Sequence, residues 1–186
     1  MCLLCEMIKI KSLFSSYKKK NTVHIQPATP QDLDTIMPII DEARLIMRET
    51  GNMTQWGNGY PSAEVILKDI NNGHGFVCIS EGGVVGYFCF IAGDNPEPTY
   101  DVIEGGAWLN DEPYGVIHRL ASGRRAKGIA RAAFDFAFTK TGTIRVDTHH
   151  DNLPMQNYLK KNGFAYCGVI YVNDGTPRDA FQKSIA

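Results

Sequence analysis

The sequence has almost no net charge, no sustained apolar run and no complete set of metal-ligating cysteines. Its 19 Lys and Arg residues against 20 Asp and Glu leave a charge of −1 over 186 residues. That balance gives no field to gather nucleic acid or an anionic membrane surface. Cationic side chains are local instead, in KKK at 18–20 and GRRAKG at 123–128, so anion binding is expected at one site and not across a surface. Cys2 and Cys5 have a metal-like spacing, but no second pair follows, and no metal is expected. The cysteines number five and are scattered (Cys2, Cys5, Cys78, Cys89, Cys167), which fits free thiols in a reducing, cytoplasmic setting. A bilayer span needs about 20 apolar residues. The opening MCLLCEMIKIKSLFSSYKKK alternates apolar and basic residues and lacks the apolar core and cleavage site of a secretory signal. Residues 1–21 are therefore read as an extension, with no membrane partner.

What remains is an ordinary globular composition, 44% hydrophobic and 21% charged, enough for one domain over 22–186 with a core of its own. TVHIQPA alternates in the manner of a strand. TPQDLDTIMPIIDEARLIMRETG opens with a helix-start pattern: Thr29 can cap, Pro30 suits the first helical position, and Asp32 suits a capping box. Leu33, Ile36, Ile40, Ala43 and Met47 recur at helical spacing, with Pro38 predicting a kink or a break. A loop with Trp56 and Tyr60 precedes a short helix in SAEVILKDINNG. Two strands meet around Gly82-Gly83, and a long polar connection leads to the strand YGVIHRLAS. Helix, strand, helix and a final hairpin across NDG complete an α/β order with a mixed sheet.

The stretch ASGRRAKGIARAAF joins a strand directly to a helix. The first amides of a helix have no internal partners and lie at the positive end of its dipole, so a phosphate can rest there if no side chain intrudes. Gly128 and Ala130 clear that approach, while Arg125 and Lys127 add charge. Neither the nucleotide-hydrolase loop nor the dinucleotide fingerprint fits this spacing. By itself the turn is equally compatible with a solvated strand–helix connection.

The six residues RAKGIA at 125–130 match the (Arg/Gln)-x-x-Gly-x-(Gly/Ala) signature of the GNAT superfamily of acetyl-CoA-dependent N-acetyltransferases. DTHHDNLPMQNYLKKNGFAYCG resembles the second motif of that family, and the strand order resembles its fold over roughly 22–186. The resemblance implies a GNAT fold, a mixed splayed sheet flanked by helices, with acetyl-CoA as co-substrate and a small-molecule or peptide amine as acceptor. A non-catalytic acyl-CoA-binding module is the alternative, and a homodimer stays open. By the same resemblance the strand backbone at Leu120, Ala121 and Ser122 would pair with the pantetheine arm. The amides of Arg125, Ala126, Lys127, Gly128, Ile129 and Ala130 would take the pyrophosphate. Asn152 would reach the coenzyme from the next helix, act as its N-cap, or do both.

Catalysis is the less defined part. The family commonly places an acid tyrosine four residues before the Gly of the Gly-Phe turn, where this sequence has Leu159. Tyr158, about 100° away on the helix, is expected in the core. Histidine is the side chain suited to exchanging a proton near neutral pH, so His118 is the candidate base, with a hydrogen-bonded core histidine as the competing role. Alternation along a strand predicts that His118 and Arg119 point to opposite faces. Arg119 is expected to pair with Glu104 or Asp147, Asp147 and His149 form a second candidate pair, and His150 is expected in solvent. For Trp56 and Tyr60, packing and acceptor contact are equally open.

Overall fold

The computed structural model describes residues 22–185, so the extension at 1–21, with Cys2 and Cys5, lies outside the described residues. Its elements follow the order β1 (His24–Pro27), α1 (Leu33–Glu49), α2 (Ala63–Asn71), β2 (Gly75–Ser80), β3 (Gly83–Gly93), β4 (Tyr114–Ser122), α3 (Ile129–Phe138), β5 (Thr143–Thr148), α4 (Leu153–Lys161), β6 (Ala165–Tyr171) and β7 (Pro177–Ser184). The seven strands form one mixed sheet in the order β1-β2-β3-β4-β5-β7-β6. Only β4 and β5 pair in parallel, as a strand–helix–strand crossover requires, and the other neighbours are antiparallel.

The helices take the two faces of the sheet. Ile36, Ile40 and Ala43 of α1 pack with Ile66 and Ile70 of α2 on Val77, Tyr87 and Ala121. Phe134 and Ala137 of α3 and Leu159 of α4 pack with Phe88, Ile117, Ile144 and Phe181 on the other side. The start of α1 forms as its sequence demands. A 3-10 turn at Pro30–Asp32 leads in, and the Asp32 carboxylate accepts from the Thr29 amide at 2.7 Å and the Thr29 hydroxyl at 2.8 Å. Of the kink or break expected at Pro38, the break does not occur: the proline lies inside the unbroken span Leu33–Glu49. Its missing N–H withholds the helical donor from the Asp34 carbonyl, and fully buried Ile36 and Ile40 on either side anchor the helix to the sheet despite that loss. The β2–β3 hairpin turns one residue earlier than expected, on Glu81 and Gly82, both at positive φ (51° and 80°).

The feature that creates a site is the failure of β4 and β5 to stay together. They pair only at Gly115–Ile144 and Val116–Arg145, although β4 runs on to Ser122 and β5 to Thr148. Between β3 and β4 the register passes from Tyr87–Ala121 to Cys89–His118, so two steps along β3 span three along β4. The extra residue makes a β-bulge, with Arg119 at φ 52°. A bulged strand bends and twists, and β4 diverges from β5 beyond Val116.

Candidate active site

A cavity of about 530 Å³ occupies the divergence. Ile117 to Leu120 of β4 and Val146 to Thr148 of β5 form its two walls. The loop after α1 and the connection before β4 close its ends with Trp56, Tyr60 and Glu97.

The bulge decides the chemistry of this cavity. Alternation predicts opposite faces for His118 and Arg119, but at the bulge Ile117 and Leu120 both pack into the cluster under α3 and α4, and His118 and Arg119 between them both line the cavity. Nor does Arg119 pair with Glu104 or Asp147. Its Nε and Nη2 donate to the two carboxylate oxygens of Asp69 on α2, at 2.6 and 2.7 Å, and Nη1 donates to the Tyr60 hydroxyl at 3.2 Å. Tyr87 adds a third donor to Asp69 at 3.0 Å. With side-chain exposures of 14% and 10%, the Arg119–Asp69 pair has all but left water, and this two-pronged geometry offsets the desolvation.

His118 meets a residue that the sequence reading passes over. Its Nε2 stands 3.0 Å from Oε2 of Glu97, a contact short enough for an ion pair but off the axis of an aligned hydrogen bond. Glu97 lies in the polar connection between β3 and β4 and caps a 3-10 turn at Pro98–Tyr100. Its Oε1 accepts from the Thr99 amide at 3.2 Å and the Thr99 hydroxyl at 2.7 Å. The neighbouring imidazole, together with the two Thr99 donors, overcomes partial burial and holds the Glu97 carboxyl down at about 2. Glu97 is therefore ionised throughout the neutral range. The one sequence signal for it is Glu-Pro-Thr, an acid ahead of a proline that can start a helical turn.

The second candidate pair is not a pair. Asp147 accepts from the Tyr100 hydroxyl at 2.7 Å and stands 3.8 Å from Arg178 Nε. His149 follows the end of β5, where Nε2 meets the Thr54 hydroxyl at 3.1 Å and Nδ1 accepts from the Asp151 amide at 3.1 Å. Burial lowers the His149 pKa, with Arg178 nearby acting in the same direction. Both residues line the cavity. Glu104 does not; it is exposed and accepts from the Tyr171 hydroxyl at 3.0 Å. His150 is exposed, 3.4 Å from Asp179. Trp56 packs against the α1–α2 cluster and also lines the cavity, as does Tyr60. Their loop is tied to α1 by its carbonyls, since Arg44 donates to those of Gly59, Tyr60 and Pro61 and Arg48 to those of Asn52 and Gln55.

The basic turn lies beside the divergence. Gly128 caps α3 at φ 84°, and a Cβ built there would meet nothing within 4 Å, so the helix start is open. Arg125 and Lys127 are exposed and make no ion pair among the described residues, whereas Arg124 is tied to Glu49 at 2.5 Å. Ile129 buries its side chain in the core, Ala126 packs against the same cluster, and Ala130 is half-buried. Leu120 lines the cavity, Ala121 is fully buried, and Ser122 pairs with Gly86. Asn152 caps α4, its Oδ1 accepting from the Met155 amide at 3.2 Å while Nδ2 donates to Gln55 Oε1 at 3.2 Å. Leu159 is fully buried, and Tyr158 stacks on Phe134 with ring centres 5.5 Å apart. An open helix start, unpaired cations and a free strand edge fit a polyanionic coenzyme with an extended arm. Among the described residues no three His, Cys, Asp or Glu side chains gather as metal ligands, and no helix is long and apolar enough to cross a membrane.

These features have counterparts in known proteins. The model of the Acetyltransferase (GNAT) family matches residues 43–164. A GNAT-family acetyltransferase from Streptococcus agalactiae is 36% identical, covers 88% of this chain and 96% of its own, and superposes with a TM-score of 0.79. A GNAT-family acetyltransferase from Listeria monocytogenes (21% identical, 88% and 95% covered, TM-score 0.63) shares the fold. So does the PaiA N-acetyltransferase of Thermoplasma acidophilum in complex with coenzyme A (14% identical, 88% and 99% covered, TM-score 0.60). No curated protein matches the sequence. The signature at 125–130, the divergent β4 and β5 and the extent of these likenesses agree: the chain belongs to the GNAT acetyltransferase family.

Proposed function

We propose that the protein is an N-acetyltransferase that passes the acetyl group of acetyl-CoA directly to an amine of a small molecule or peptide, using residues 22–186 as a single catalytic domain. The supporting observation is the cavity at the β4–β5 divergence, lined by His118 and Glu97, with the open helix start of α3 following directly on the end of β4. In this reading the backbone of Leu120 to Ser122 pairs with the pantetheine arm and the amides of Arg125 to Ala130 hold the pyrophosphate. Asn152 keeps its capping role and steadies the loop that closes the opposite wall.

Acetyl-CoA supplies the activated acetyl thioester, and the chain's residues manage the proton. An alkyl ammonium has a pKa near 10 and must lose a proton before its nitrogen can attack. His118 accepts that proton at the cavity wall. Cys89, beside His118 across the β3–β4 ladder, is held protonated by burial, with its pKa pushed up to about 12. That disfavours an acylated cysteine and supports direct transfer. With Leu159 buried in place of the family's tyrosine, the departing thiolate takes its proton from solvent.

The competing reading, a non-catalytic acyl-CoA-binding module, draws on that same Leu159. Release of free thiol from acetyl-CoA against polyamines, amino acids, aminoglycosides and peptide N-termini separates the two. Catalysis is expected as amine-dependent thiol release with a matching mass gain of 42 Da (one acetyl for one hydrogen) on roughly one class of acceptor. Coenzyme binding without amine-dependent release from any of them would leave the binding module standing.

A further inference from the structure

We infer that Glu97 is a positioning residue that fixes the tautomer of His118, so that the imidazole presents its lone pair to the cavity through Nδ1. The inference rests on the acetyltransferase reading for its kinetic consequence, but not for its structural content.

The argument starts from the two oxygens of one carboxylate. Oε1 of Glu97 is occupied by two donors, the amide and the hydroxyl of Thr99. Oε2 is thereby turned to His118 Nε2 at 3.0 Å. An ionised carboxylate can only accept, so the nitrogen facing it must carry the hydrogen. In a neutral imidazole the other nitrogen is then the acceptor, and Nδ1 holds the lone pair. Nε2 is fully buried, while Nδ1 has no hydrogen-bond partner among the described residues and is not among the buried atoms that lack one. Nδ1 is thus the nitrogen open to the cavity. When it takes a proton from an ammonium, the N–H bond of the amine breaks, an Nδ1–H bond forms, and the imidazolium stands against an anion already in place.

The other charged groups around His118 leave this role to Glu97. Arg119, next on the strand, has its positive charge matched by Asp69. Asp147 and Arg178, on β5 and β7, stand against each other at 3.8 Å. His149 is engaged with Thr54 and the Asp151 amide, Cys89 opposite is a neutral thiol, and Tyr60 accepts from Arg119. Glu97 itself is held from the turn it caps and from Tyr114, whose hydroxyl donates to its carbonyl at 3.4 Å.

Glu97→Gln is the decisive variant because it keeps size and shape. Thr99 still requires an acceptor at the first position, so the amide oxygen stays there and the NH₂ group faces Nε2. A donor against Nε2 inverts the tautomer, leaving Nδ1–H toward the cavity and no base. The measurement is ¹⁵N chemical shift of the His118 ring in the full chain, wild type against Glu97→Gln, together with steady-state kinetics. The expected result is protonated Nε2 in the wild type and protonated Nδ1 in the variant. With it should come a roughly 100-fold loss of kcat, a KM for acetyl-CoA within about twofold, and recovery of most of the rate in Glu97→Asp. Thr99→Val, which frees the first oxygen, is expected to give a mixed tautomer and a smaller loss. An unchanged tautomer in Glu97→Gln overturns the inference, as does wild-type kcat with an inverted one. If the wild type transfers acetyl to no amine, the acetyltransferase reading fails while the ring-nitrogen shifts still decide the role of Glu97.

Discussion

The two parts of the candidate site are built on opposite plans. The turn at 123–130 works through backbone: an open helix start, a left-handed Gly128 and exposed cations, all contiguous in sequence. The other end works through side chains brought from four separate segments. His118 and Arg119 come from β4, Asp69 from α2, Glu97 from the connection before β4, and Tyr60 from the loop after α1. A backbone site depends on local conformation and tolerates change in most side chains. A site of converging side chains depends on the whole fold, and each member is answerable to a distant partner.

The largest expected effect tests the backbone end. Gly128→Glu places a carboxylate and a β-carbon at a helix start with φ 84°, and it should abolish acetyl-CoA binding as read by calorimetry. Unchanged affinity in a folded variant would refute the assignment of this turn to the pyrophosphate. At the side-chain end, His118→Ala should lower turnover at neutral pH by roughly 100-fold and leave coenzyme affinity nearly intact. A variant that loses stability and keeps its turnover would make His118 a structural residue.

Asp69→Ala sharpens the contrast between the neighbours on β4. It strips the partner from an almost buried guanidinium and should cost about 3 kcal/mol in denaturant unfolding. Asp69→Ala within experimental error of the wild type would mean that water already solvates Arg119. A gentler test uses pH. The folded Glu97 pKa lies at about 2 against 4.5 in the unfolded chain, so its ionised form contributes stability that is complete above 4.5. That contribution is lost as the pH falls from 4.5 toward 2. Glu97→Gln should therefore flatten the stability curve in that window only, as followed by thermal unfolding across pH. Smallest of all is Tyr158→Phe: the ring stacked on Phe134 remains, and turnover should stay within about twofold. A large rate loss there would restore the tyrosine acid and undo the account of thiolate departure.

Much of the fold is legible in the sequence because its signals are local. Alternation marks β1, the Thr29–Asp32 capping pattern marks the start of α1, and the NDG turn marks the last hairpin. The break that Pro38 suggests does not occur, because flanking isoleucines buried against the sheet outweigh the one helical hydrogen bond the proline cannot make. The basic turn is legible for the same local reason. The grouping of side chains around His118 is not, since alternation assumes a regular strand and β4 is irregular at Arg119.

The sequence by itself determined the order of strands and helices, the basic turn that opens α3 and the cap that Asn152 gives α4, because each follows from hydrogen bonds and periodicity within a few residues. Tertiary structure alone decided that His118 and Arg119 share a cavity, that Arg119 answers to Asp69, and that Glu97 meets His118. A non-glycine residue adopts φ 52° at a cost of roughly 1 kcal/mol or more. That cost is met by contacts with Asp69, fifty positions away in the chain. No window of neighbouring residues contains that partner, so the bulge, and the chemistry it arranges, exists only once the sheet and α2 have packed together.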